Sequence, residues 1–283
     1  MNPRAARQPL DARVIAPRSV LSVPGSSPRF LSSAVTSAAA ALMIDLEDGV
    51  APASRAAARC TTADALAALA SPNRRLWVRI NAVDTADFEA DLAAVQSMGR
   101  ALDALVLPKA SPAAIDDVAA GTSLPVIALI ETPNGVEDAR EISVHDAVEA
   151  VLFGELDYIA ALTASGGLHT SNTDWAQARI VNATAAAGKY SLAGPTAATH
   201  NDGLLYAESA DQAALGFAGK LCIHPAQVPI VTASFGPTVD MVAWAEQVLT
   251  ALDRDGHDGA FALDGQMVDA PVIARARQIL KGC

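Results

Sequence analysis

ALVLPKASPAAIDDVAAGTSLPVIALIE, residues 104–131, sets two unbroken apolar runs, 104–107 and 126–130, on either side of an alanine-rich stretch, 112–120, that ends at Gly121. Neither run alternates polar with apolar, as a strand with one wet face would; both read as strands buried on both faces of a parallel sheet. The stretch between them has helical length and a glycine stop, so the segment is one strand–helix–strand unit.

The same rhythm extends in both directions. Further short runs rich in Val, Ile and Leu fall at 20–23, 42–46, 76–80, 150–153, 190–193 and 220–223. Helices are expected at 28–40, 54–70, 88–98, 136–143, 174–187 and 207–215, with Ser71-Pro-Asn73 and Gly188 as breaks. Eight strands alternating with helices predict an α/β fold, a closed (β/α)8 TIM barrel, and no sequence repeat underlies the units. Beyond the barrel a helix is expected at 235–252, then an Asp/Gly-rich hinge at 253–259. A hairpin around Asp264-Gly265 and a last helix at 270–280 complete the chain. The predicted organisation is an N-terminal arm at 1–17, a barrel domain at 18–252, and a C-terminal lid and oligomerisation segment at 253–283.

Length and composition agree with one barrel. The chain has 283 residues, 51% of them hydrophobic, enough for a large core, and barrels of about 250 residues form single domains. A net charge of -11, with no Lys/Arg cluster, disfavours nucleic acid as a partner. Residues 1–16 carry arginines but no apolar core of a secretory signal, and the longest apolar stretch, 34–44, is too short to span a bilayer. Three dispersed cysteines without a CxxC pair argue against disulfides and structural zinc, so a reducing cytoplasm is expected.

In a (β/α)8 barrel the residues that follow the strands converge on one face, where active sites are built. Here those positions are polar: Asp45, Glu47 and Asp48 after the second strand, Arg79 and Asn81 at the third, Lys109 after the fourth, Glu131 after the fifth, Glu155 and Asp157 after the sixth, and His224 after the eighth. Glu131 and Asp157, on adjacent strands and without a His or Cys cluster, suit a hard cation with oxygen ligands, Mg²⁺ above all. Structural roles for the pair, as helix caps or ion-pair partners, are the competing reading. Arg79 has the planar two-pronged donor that fits a substrate carboxylate, and it can equally pair with Asp45 or Glu47. Glu47 reads as support for Arg79 or Lys109. His224 is either a general base or a hydrogen-bonded structural residue. Gly25-Ser-Ser-Pro-Arg29, and likewise Arg18, could meet a phosphate, or the former could be a plain turn. No GxGxxG follows a strand, which disfavours nicotinamide and flavin chemistry.

Arg18-Ser-Val-Leu-Ser-Val-Pro-Gly25, Met43-Ile-Asp-Leu-Glu-Asp-Gly-Val-Ala-Pro52, Val78-Arg-Ile-Asn81, Leu107-Pro-Lys109, Ile130-Glu-Thr132, Phe153-Gly-Glu-Leu-Asp157, Gly216-Phe-Ala-Gly-Lys-Leu-Cys-Ile-His-Pro-Ala-Gln227 and Gly265-Gln-Met-Val-Asp-Ala-Pro271 together resemble the citrate lyase beta-subunit family of the HpcH/HpaI aldolase superfamily. The resemblance runs in order from about Arg18 to the C-terminus. It implies a TIM barrel of the phosphoenolpyruvate/pyruvate-binding type, Mg²⁺ held by Glu131 and Asp157, and a substrate oxygen gripped by Arg79. It also implies a coenzyme A thioester as acyl carrier and a homotrimer or hexamer whose C-terminal segment lids a neighbour's site, bringing Asp269 as acid/base. Glu47 joins Arg79 and Asp269 as catalytic, and Lys109 and Arg18 join Arg79 and Glu131 as substrate-binding.

The resemblance has two departures. Asp157 is followed by Tyr158-Ile-Ala-Ala-Leu where the family often has Asp-Leu-Gly, and Gly194-Pro-Thr-Ala-Ala-Thr-His-Asn-Asp202 is not the acidic loop expected after the seventh strand. Both bear on acyl-chain preference. The function implied is Mg-dependent cleavage or formation of a short 3-hydroxyacyl-CoA such as malyl-, citramalyl- or citryl-CoA. The alternatives are a metal-dependent aldolase of free hydroxy-keto acids and a citrate lyase beta subunit that works only within a complex.

Overall fold

The computed structural model describes residues 16–167, 173–255 and 260–282. The expected N-terminal arm therefore lies almost wholly outside the described residues, as does most of the hinge at 253–259.

Eight parallel strands close into a barrel: β1 (Ser19–Pro24), β2 (Ala41–Asp45), β3 (Arg75–Arg79), β4 (Ala104–Leu107), β5 (Val126–Ile130), β6 (Val148–Phe153), β7 (Tyr190–Ala193) and β8 (Gly219–Cys222). Each pairs with the next, and β8 returns to β1 in the register Ser19↔Lys220. The helices are α1 (Pro28–Ala34), α2 (Arg55–Leu69), α3 (Phe88–Met98), α4 (Pro112–Gly121), α5 (Pro133–Glu137), α6 (Ala139–Val144), α7 (Glu155–Ala164), α8 (Asp174–Ala186), α9 (Asp202–Leu215) and α10 (Gln227–Ser234). Several start on a side-chain cap with a short polar residue: Ser111 accepts from Ala114 N–H, Thr132 from Gly135 N–H and Asn201 from Leu204 N–H.

Side chains alternate along a strand, and one parity fills the barrel. Val20, Met43, Trp77, Val106, Leu129, Leu152, Leu192 and Leu221 belong to one buried cluster, and Trp77 is fully buried at its centre. A large apolar side chain so buried contributes about 1.5–3 kcal/mol. Two residues earlier on the same parity, Arg75 and Tyr190 meet Glu149 at the entry end: Arg75 pairs with the carboxylate, and the Tyr190 hydroxyl donates to it at 2.7 Å. Two residues later the same parity delivers Asp45, Arg79, Glu131 and Gly154 to the opposite end. The hydrophobic filling thus dictates which polar residues reach the mouth.

The structure departs from expectation in several places, among them helix α10, which lies ahead of the helix expected at 235–252. The helix expected at 28–40 stops at Ala34, and the one at 136–143 becomes α5 and α6, meeting at Asp138, whose φ of -82° and ψ of 4° lie outside helical geometry. Helix α7 was not expected at all, because only Tyr158 of its ten residues is buried and no apolar stripe marks it. The barrel unit ends at Thr232, ahead of the boundary expected after Leu252. The second unit, from Ala233, holds α11 (Val239–Asp255), the hairpin β9 (Phe261–Leu263) and β10 (Gln266–Val268), and α12 (Ala270–Lys281). The apolar face of α11 packs within this unit: Ala245, Val248 and Ala251 join Phe261, Val268, Ala276 and Ile279 in its own small core. Asp264 and Gly265 both have positive φ, as the hairpin turn requires.

Candidate active site

Asp45 and Arg79 end adjacent strands in direct register. The guanidinium meets the carboxylate through two parallel bonds, Nε to Oδ1 at 2.7 Å and Nη2 to Oδ2 at 2.6 Å. Asp45 also accepts from the backbone N–H of Glu47 at 2.9 Å and of Gly49 at 2.8 Å, so its buried charge has four donors. Gly49 has no alternative: a Cβ there would lie 2.5 Å from Asp45 Oδ2. Burial works against the Arg79 charge, but the bonds and charge of Asp45, then Glu47 and Asp48, hold it more firmly protonated than usual.

Arg79 Nη1 lies 3.0 Å from Glu47 Oε2 and 3.6 Å from Asp48 Oδ2. The Glu47 contact is an ion pair without the alignment of a hydrogen bond, and that oxygen has no other partner. Burial pushes the Glu47 carboxyl up to about 8, Arg79 opposing and Asp48, Glu131 and Asp45 adding to the rise. The Glu47 segment is braced from behind. Asn81 donates to Leu46 O at 2.9 Å and to Asp91 at 2.7 Å, and Asp91 accepts from Arg59 Nε at 2.6 Å.

Glu131 follows β5, 4% exposed, and its Oε1 accepts the backbone N–H of Lys109 at 2.8 Å. To present that N–H, Lys109 adopts a φ of 48°, a conformation that a non-glycine residue enters at a cost of order 1 kcal/mol. Gly154 leaves room for Glu131: a Cβ would sit 2.5 Å from its Cβ and 2.8 Å from Oε2. Burial pushes the Glu131 carboxyl up to about 7, the Lys109 bond opposing and the charge of Asp157 adding to it. Asp157, in the first turn of α7, is exposed.

The donors fit a hard divalent cation. Two desolvated carboxyls, one with an orphaned oxygen, share the counter-charge of Arg79, and all the available donors are oxygens. Among the described residues no group of three or more His, Cys, Asp or Glu forms a complete cage. Glu131 and Asp157 would supply two ligands, leaving the others to water and substrate, as an octahedral Mg²⁺ tolerates.

The structure brings Arg79, Glu47, Glu131 and Asp157 together and sets Lys109 beside them through its backbone, with an exposed side chain. It does not bring Arg18 there. Arg18 precedes the first residue of β1, and its carbonyl accepts from Lys220 N–H at the amino end of the strands. Six strand residues separate it from the mouth, about 20 Å, beyond an arginine's reach. Asp269 lies in the second unit, half-buried, capping α12 by accepting from Val272 N–H at 3.3 Å. His224 belongs to a turn: its Nδ1 accepts from Ala226 N–H at 3.2 Å. Ser27 caps α1 by accepting from Phe30 N–H at 3.3 Å, which makes the Gly25–Arg29 segment an ordinary capped turn.

The sequence offered Asp45 and Glu47 as equal candidates to pair with Arg79; the structure gives Asp45 the two parallel bonds and Glu47 the looser ion pair. Sequence reasoning passed over Lys220, buried on β8.

A family model described as HpcH/HpaI aldolase/citrate lyase matches residues 18–225. A citrate lyase subunit beta-like protein from Mycobacterium tuberculosis is 38% identical over 262 residues, covering 89% of this chain and 90% of its own. An L-malyl-CoA/beta-methylmalyl-CoA lyase from Cereibacter sphaeroides is 31% identical, covering 91% and 92%. Among solved structures, protein CitE from Mycobacterium tuberculosis, in complex with magnesium, acetoacetate and coenzyme A, aligns with a TM-score of 0.80 at 36% identity, over 95% of this chain and 98% of that one.

Proposed function

Because the chain belongs to the HpcH/HpaI aldolase/citrate lyase family, and with it to the carbon–carbon lyases, we propose that it cleaves, or in reverse forms, a short 3-hydroxyacyl-CoA such as malyl-, citramalyl- or citryl-CoA. The products are a keto acid and an acyl-CoA, and Mg²⁺ is held by Glu131 and Asp157. The observation that carries this reading is the pairing at one barrel mouth of a guanidinium fixed by Asp45 with two carboxyls, Glu131 and Glu47, whose burial calls for a cation.

When bound, Mg²⁺ would supply the positive charge that offsets negative charge developing on the substrate oxygen. Arg79, locked on one edge by Asp45, offers its remaining N–H groups to the keto-acid portion and orients it, with Glu47 steadying the guanidinium. Lys109 holds Glu131 by its backbone, and its exposed side chain is placed to meet substrate. In cleavage the 3-hydroxyl loses its proton to water. The bond to the α-carbon then breaks, its electron pair passing into the thioester enolate, and Asp269 of a neighbouring subunit returns a proton to the α-carbon. The working form is a homotrimer or hexamer in the cytoplasm. Among the described residues no helix is long and apolar enough to cross a membrane.

Release of acetyl-CoA or propionyl-CoA from malyl-, methylmalyl-, citramalyl- and citryl-CoA, with and without Mg²⁺, tests this reading. Turnover should require Mg²⁺ and fall by about 10²-fold or more in Asp269→Asn, the scale of a lost general acid. Asn also caps helices, so α12 and thermal stability should be unchanged. No turnover of any thioester would move the reading to an aldolase of free hydroxy-keto acids or a subunit that needs partner chains.

A further inference from the structure

A fully buried ammonium lies behind the barrel wall with no part in the chemistry above. Lys220 on β8 is 0% exposed and has the outward parity, opposite to the interior Leu221. A buried charge persists only where partners hold it. Lys220 Nζ donates to Gln212 Oε1 of α9 at 2.6 Å and lies 3.9 Å from Glu208 Oε2 of the same helix.

From there the chain of contacts runs toward the mouth. The Thr196 hydroxyl, in the segment after β7, donates to the same Glu208 Oε2. The Thr196 carbonyl accepts from Gln227 Nε2 at 3.0 Å, and Gln227 Oε1 accepts from the backbone N–H of Ile223 at 2.8 Å and of His224 at 3.3 Å. Thr196 and Gln227 are both buried. The segments after β7 and β8 are thus joined by Gln227 and anchored through Glu208 to Lys220. The rings of His200 and His224, one from each segment, lie 6.2 Å apart.

We propose that Lys220 is a positioning residue: through Glu208, Thr196 and Gln227 it holds segments 194–201 and 223–227 together as one side of the mouth's rim. Neutralising it loosens that rim and weakens substrate capture without unfolding the barrel. The part concerning substrate rests on the lyase reading; the part concerning the rim does not.

The test uses full-length Lys220→Met and the double variant Lys220→Met/Gln212→Leu, which removes the amide left without its donor. Hydrogen exchange in peptides spanning 194–201 and 223–227 should accelerate about tenfold or more in both, with other barrel peptides unchanged. Mg²⁺ affinity by calorimetry should stay within about twofold, and kcat/KM should fall about 10- to 100-fold, mostly through KM. The double variant should recover thermal stability but not rim protection. If K220M fails to fold, Thr196→Val cuts the same chain of contacts at the rim and should give the same exchange pattern. Unchanged exchange in the two segments, or protection recovering in step with stability in the double variant, would overturn the proposal. Failure of the lyase reading would show separately, as a wild-type protein that turns over no thioester while the exchange result stands.

Discussion

Replacing Glu131 by Gln is expected to remove Mg²⁺ binding and lower thioester cleavage by about 10³-fold or more, while making the metal-free protein more stable at pH 8. The first part follows from the proposed role of Glu131 as a charged metal ligand, whose loss would remove several kcal/mol of charge stabilisation. The second follows from burial. Gln keeps an oxygen to accept the Lys109 N–H, so the 2.8 Å bond survives, but it carries no charge to desolvate. In the native protein the Glu131 carboxyl is pushed from 4.5 up to about 7 by burial. Between those values the folded state holds a proton that the unfolded chain has released. This group's contribution to stability is therefore fully present below about 4.5 and lost as pH rises through 7. Above that, the ionised buried carboxylate costs on the order of 3 kcal/mol. Gln relieves that cost at pH 8, and the advantage should vanish near pH 4.5. Proton and cation also compete for the same oxygens, so wild-type Mg²⁺ affinity should weaken about tenfold per pH unit below 7. Thermal melts in EDTA and Mg²⁺ calorimetry between pH 6 and 8.5 measure both effects. A variant that still binds Mg²⁺, or that melts below the wild type at pH 8, would refute the assignment.

The residues that make this trade-off were largely legible, because strand parity is legible. Runs such as 126–130 are apolar at every position, since both faces are buried, and the charges that close several of them land at the mouth. Arg79 and Glu131 are the first charges after their runs, and Glu47 and Asp157 the second, after Asp45 and Glu155. What a sequence hides is backbone work and direction. Lys109 acts on Glu131 through its N–H in a positive-φ conformation that no side-chain pattern announces. Arg18 stands in the same motif as the strand it precedes, yet that motif does not say which end of the barrel it marks. Lys220 sits amid Gly219, Leu221 and Cys222, where the strand looks apolar, and its partners Glu208 and Gln212 lie on the preceding helix α9, outside the run. Helix α7 escaped because its first turn, Glu155 to Tyr158, carries two carboxylates and a single buried side chain.

Arg79→Lys should be nearly as damaging as loss of the metal ligand, with kcat/KM down about 10²- to 10³-fold, the range of a lost oriented donor in the transition state. The argument is one of donor count and shape. Guanidinium has five N–H groups in a rigid fork. Asp45 takes two, on the Nε/Nη2 edge, which leaves three on the edge that also faces Glu47 and Asp48. In the proposed reaction one group would therefore reach a fixed protein carboxylate and a substrate oxygen at once. Lysine places its donors on one nitrogen and cannot span both. Because the positive charge remains, and Asp45 keeps the N–H groups of Glu47 and Gly49, the fold should tolerate the change. Arg79→Ala, by contrast, leaves the buried Asp45 without its counter-charge and should cost about 3–5 kcal/mol in stability. The two variants therefore separate geometry from charge: R79K should melt near the wild type yet fail in turnover, and added guanidinium should restore part of the activity of R79A. An R79K enzyme with kcat/KM within about threefold of the wild type would show that charge alone suffices, and would remove the planar fork from the mechanism.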